Sequence, residues 1–295
     1  MDAIPDIWTI LTPVLRLAFY PALLLAVGGV LFSMLMARHL GKAGQDYTAR
    51  VTVRAALVGL GLAAAHVPAA AGNLAGDLQG MLDPMLIALV LETPTGAAAG
   101  MGAAGFLLIL LVQQFARDPL HPARITGPGL VILSMMLAGH VTMGGRLAAI
   151  LLALHLAGLA FWVGALLPLR AMSRDPAPYG GLPALAGLAG AFGRIAGWLV
   201  PMLIMAGLAY AAILLGSASA VLTTSYGNLL LAKIGFVGGL LMLAAHNRWR
   251  LVPEIAEGKP DAAGRLARSI GWEILAVFGI LLATSLMTTS VTLPG

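Results

Sequence analysis

The stretch His155–Arg170, HLAGLAFWVGALLPLR, decides the fold. It sits in the apolar run 147–169, where His155 is the one ionisable side chain. A helix of about 20 apolar residues crosses the hydrocarbon core of a bilayer. An ionisable group inside such a span marks a functional site by default. A neutral imidazole in hydrocarbon also needs a partner for its polar nitrogens.

The rest of the chain agrees with a membrane reading. Of 295 residues, 60% are hydrophobic and 10% charged, with a mean hydropathy of +0.94; soluble domains carry about 25% charged residues. The 37 glycines and 17 prolines fit, since both are enriched in membrane helices. Cysteine is absent, which excludes disulfides, thiolate metal ligands and thiol redox chemistry. A net charge of +5 is what basic loops of a membrane protein supply and does not call for nucleic acid. The chain holds no P-loop, no Gly-x-Ser-x-Gly, no HExxH and no large domain outside the apolar runs. An enzyme or an ATP-driven pump is therefore not expected. The opening MDAIPD has no basic n-region, so no cleavable signal is expected and the first span starts translocation itself.

Eight spans are read, at 14–37, 51–72, 85–115 (broken near Pro94), 126–143, 147–169, 189–216, 226–247 and 267–290. The expectation is an all-α polytopic membrane protein forming one domain over 1–295. The connections after spans 1, 3, 5 and 7 carry most of the Lys and Arg, from Arg38 and Lys42 to Arg265 and Arg268, while the opposite side keeps Arg16 and Arg146. By the positive-inside rule both termini face outward and the basic connections face the cytoplasm. LETPTGAAAGMGAAGF (91–106) is similar in place and character to LTTSYGNLLLAKIGF (222–236). That offset suggests two parallel four-span halves, 1–143 and 144–295.

Candidate ligands gather toward the outer side. His140 ends span 4, and His155 lies roughly 12 Å into span 5 from the same face. Met136, His140 and Met143 fall at i, i+4 and i+7 on one helical face. His66, before Pro68 in span 2, shares that depth. Imidazole and thioether form a ligand set for a soft or borderline metal ion, and three histidines alone would suit copper or zinc. The alternatives are plain: methionines fill cores, and a histidine near a proline bonds a freed carbonyl. Met34, Met36 and His39 end span 1, and Met242 and His246 end span 7, as an exit site or as ordinary helix ends. Glu273 and Lys233 lie within apolar runs; Arg248 or Arg268 is the expected partner of Glu273, and Lys233 would repel a nearby cation. Asp77 and Asp83 would raise the local cation concentration at the outer face.

GHVTMGGRLAAILLALHLAGLAFWVGALLPL (139–169) resembles the span 4–5 signature of the bacterial copper resistance protein D family, with its Gly-His, His-Leu and Trp-x-Gly. TTSYGNLLLAKIGFVGGLLMLAAHNRWRLVP (223–253) and RLARSIGWEILAVFGILLATSLMTT (265–289) are similar to its later segments, and GDLQGMLDPMLIALVLETPTG (76–96) to its first half. The resemblance implies an eight-span inner-membrane protein of copper homeostasis that moves copper inward. It also implies a periplasmic CopC-like copper-binding protein as a separate partner chain. It carries over His140, His155, Trp162, Tyr226, Lys233, Asn247, Arg248 and Glu273 as matching positions; His246 and the Met34/Met36 pair fall outside it. The expected cargo is a copper ion, held by His140 and His155 with His66, Met136 or Met143 as co-ligands. The rival readings are a b-type cytochrome with heme between paired histidines, and a copper-binding sensor or assembly factor that transports nothing.

Overall fold

A computed structural model of the chain describes residues 7–115, 118–137, 145–215 and 220–290. The described residues are helical, with no strand among them. In lipid a helix satisfies its own backbone, so runs of this composition have no other single-segment solution. The helices are α1 (Ile7–Leu35), α2 (Lys42–Ala75), α3 (Pro84–Leu91), α4 (Pro94–Phe115), α5 (Thr126–Ser134), α6 (Gly145–Arg174), α7 (Gly181–Leu215), α8 (Ala220–Thr223), α9 (Ser225–His246), α10 (Val252–Ala256) and α11 (Ala262–Thr289). A π-helical turn, Asn247–Leu251, joins α9 to α10.

Seven stretches are long and apolar enough to cross a membrane: α1, α2, α4, α6, Gly181–Ala209 of α7, Ser225–Ala256 and α11. The chain is thus a polytopic helical membrane protein. The break expected near Pro94 is present, with α3 ending at Leu91 and α4 starting at Pro94, because proline lacks the N–H that would continue a helix. The expected span 126–143 is seen as the nine-residue α5 and the turns that follow it; residues 138–144 lie outside the described set. α5 runs antiparallel to α4. Gly127 abuts Gly105 and Ile109, and Ser134 reaches the level of Gly102.

α1 is the central helix, with Leu23, Val27 and Phe32 fully buried. It packs on α2, α6 and α11, so the two halves of the chain share one core. At its crossing with α6, Gly28 meets the backbone of Ala160 and Gly164 directly. Small residues permit such close backbone approach, which drives helix association where lipid removes any hydrophobic incentive. Polar ties reinforce the packing at both ends. Ser285 donates to the Pro13 carbonyl at 2.6 Å, and Arg124 donates to Gln113 Oε1 at 2.6 Å. The likeness of 91–106 to 222–236 has a physical basis. Thr93 accepts from the Gly96 N–H and Thr224 from the Gly227 N–H, each near the first turn of a span.

α7 packs on α6, and α9 on α11, but α7 and α9 make few direct contacts among the described residues. A groove therefore runs between them, backed by α6 and α11.

Candidate functional site

One stripe of α6 lines this groove. His155, Trp162, Leu166 and Leu169 follow at spacings that keep them on one helical face. His155 is half-buried and its Nδ1 has no hydrogen-bond partner. Its ring lies against the backbone of Leu203 on α7, and Lys233 of α9 is close enough to act on it electrostatically. Gly207 supplies the room: a Cβ there would sit 3.6 Å from His155 Cε1 and 3.8 Å from Nδ1. The imidazole is thus packed against α7 inside the bundle, its buried Nδ1 without a hydrogen-bond partner, with the Lys233 amine as a neighbour.

Two turns further along the stripe, about 10 Å, the groove widens into a cavity of about 670 Å³. Its walls are mostly apolar, from α6, α7, α9 and α11, and its polar members are Glu273, Asn247, Arg194 and Arg248 with the Trp162 indole. Asn247 Nδ2 donates to Glu273 Oε1 at 2.5 Å. Asn247 Oδ1 is buried without a partner, and the Trp162 N–H approaches the same carboxyl without reaching hydrogen-bond geometry. Neither arginine expected to pair with Glu273 does so. Arg248 donates to the Gly193 carbonyl at 2.5 Å, and Arg268 pairs with Asp261 at 3.2 Å. Asn247 opens the π-helical turn and is buried, while its neighbour His246 is exposed.

The other expected ligands are dispersed. His66 is half-buried beside Phe19, with ring centroids 6.5 Å apart, and near Arg16 of α1. Met136 is half-buried in the turn after α5, where its N–H donates to the Leu133 carbonyl at 2.9 Å. His140 and Met143 lie outside the described residues. Among the described residues no three of His, Cys, Asp or Glu converge as a metal site, and His66 and His155 have different neighbours. Met36 is core, at 1% exposure; Met242, His39 and His246 face outward. Asp77 and Asp83 cap local turns through the Gly80 and Met85 N–H groups, both at 2.8 Å. The Glu273–Asn247 pair was the part of the site that residue spacing missed. Its one available signal was that both residues fall on the family pattern.

Fold and groove together define an integral membrane protein with buried polar and ionisable side chains among its C-terminal helices. The family comparison names that class. The Copper resistance protein D-like N-terminal domain matches residues 4–149, and Copper resistance protein D matches residues 186–287. The chain belongs to the copper resistance protein D family and is a membrane protein of copper resistance and homeostasis. No curated protein and no solved structure matches it.

Proposed function

We propose that this protein is a permease of the bacterial inner membrane that takes copper ions from the periplasm toward the cytoplasm along the groove between α7 and α9. Both termini are then periplasmic, the segment from 126 onward completes an eighth span, and the basic connections are cytoplasmic. The observation that carries the reading is the placement of His155. It stands on the α6 stripe that continues to the cavity, with a buried Nδ1 that has no hydrogen-bond partner beside Gly207 of α7. His140, joined to α6 by a short connection, is the proposed second ligand, with His66, Met136 and Met143 as further contributors. A CopC-like periplasmic protein is the donor this reading calls for. Inward movement of a cation needs no nucleotide, since the membrane potential supplies about 2.3 kcal/mol per charge per 100 mV.

Copper uptake into vesicles holding the purified protein tests this. Wild type is expected to accelerate uptake over empty vesicles, and His155→Ala to lose most of that increment while folding normally. Copper binding without uptake would replace the permease by a sensor or assembly factor. A Soret band in the purified protein would replace it by a b-type cytochrome.

A further inference from the structure

Glu273 is 4% exposed, deep in an apolar wall, and forms no ion pair among the described residues. No charged or titratable group around it comes within ion-pair distance among the described residues. On α6, Arg170 donates to the Ala267 carbonyl at 3.4 Å. At the basic end of α7, Arg194 lines the cavity, and after α9, Arg248 is tethered to the Gly193 carbonyl. His246 is exposed, Lys233 lies further up the groove beside His155, and on α11 Arg268 is paired with Asp261. A carboxylate in such a wall without a cation is costly, whereas a carboxylic acid hydrogen-bonded to Asn247 is not. The unpartnered Asn247 Oδ1 offers an acceptor for its O–H.

The cavity sets what Glu273 can exchange with. A volume of about 670 Å³ holds roughly 20 waters at ~30 Å³ each. Among its lining residues are no histidine and no methionine, and two arginines stand in it. The cavity thus holds no soft ligand that would keep a metal ion in place, while a proton passes along water.

We infer that Glu273 is a proton-exchanging carboxyl, served by water at the basic end of the groove, whose proton leaves when copper enters above it. The copper trigger rests on the permease reading; the exchange itself does not. In the step, the Glu273 O–H bond breaks and its electron pair stays on the carboxylate. The proton goes to cavity water, and the new negative charge offsets the positive charge arriving near His155, about 10 Å away along α6. Departure of copper reverses it, with water returning the proton. No oxidation or reduction occurs.

Infrared difference spectroscopy of the full-length protein in lipid vesicles tests both parts. Wild type minus Glu273→Gln is expected to show the carbonyl band of a protonated carboxylic acid. That band should fade reversibly as the bath is made alkaline, and also on adding Cu(I) at constant pH. Asn247→Ala, which removes the bond to the carboxyl, should shift the band and serves if Glu273→Gln fails to fold. Absence of the band, or indifference to bath pH, overturns the exchange. A band that follows pH but ignores copper shown to be bound overturns the coupling. If wild type binds no copper, the permease reading and its trigger fall together, while the pH response still decides the exchange.

Discussion

Gly207 is where a graded substitution tests whether His155 is held for binding. A Cβ at this position would lie 3.6 Å and 3.8 Å from His155 Cε1 and Nδ1, the spacing of ordinary carbon contact. Gly207→Ala should therefore leave the imidazole where it is, and in a helix alanine is favoured over glycine by about 0.5–1 kcal/mol. Gly207→Leu places its next carbon about 1.5 Å beyond Cβ, inside contact distance of the ring unless the side chain swings away. Overpacking of this kind costs about 1–3 kcal/mol. The helices relieve it by spreading α7 from α6 or by turning the imidazole, and either removes the free Nδ1 from the groove. If the strain is relieved wholly at the ligand, copper affinity falls by about 5- to 150-fold. Competition between the purified variants and a Cu(I) chelator measures this, with thermal melts separating binding from folding. The reasoning is refuted if Gly207→Leu binds like wild type while His155→Ala does not. It is refuted equally if Gly207→Ala is as damaging as Gly207→Leu.

Two further outcomes follow from neighbouring contacts. Lys233→Met removes the ammonium that acts on His155. At a separation on the order of 8 Å and an effective dielectric of ~20, that repulsion is roughly 2 kcal/mol, so copper should bind about tenfold tighter once solvent screening is allowed for. Unchanged or weaker affinity in the same chelator competition would make Lys233 a partner of the site instead. Gly28→Leu forces a side chain into the Ala160 and Gly164 backbone and should destabilise the α1–α6 crossing by about 1–3 kcal/mol or more. Its melting temperature should drop, whereas Gly41→Ala, with open space around it, should melt like wild type.

Seven of the eight expected spans were legible because hydropathy and length are local properties. The break at Pro94 was legible because proline removes its own N–H. The likeness of 91–106 to 222–236 was visible in the sequence, and the structure adds that each segment starts its span with a threonine side-chain cap. Pairings across the bundle were not legible. Charge alone assigned Arg248 or Arg268 to Glu273, yet Asn247 takes that place, the two arginines being held by the Gly193 carbonyl and by Asp261. That Asp77 and Asp83 also cap local turns was likewise visible only in the structure.

Composition and periodicity by themselves determined a multi-span helical membrane protein with a basic face. They also singled out His155, because an ionisable group within an apolar run stands out at its own position. Only the tertiary structure decided what that histidine faces. The groove exists because α7 and α9 stand apart while α6 and α11 join them, and its polar floor assembles Trp162, Asn247 and Glu273 from three helices. Such convergence depends on helix rotation and crossing, set by close backbone contacts such as Gly28 on Gly164, and no single stretch of sequence encodes it.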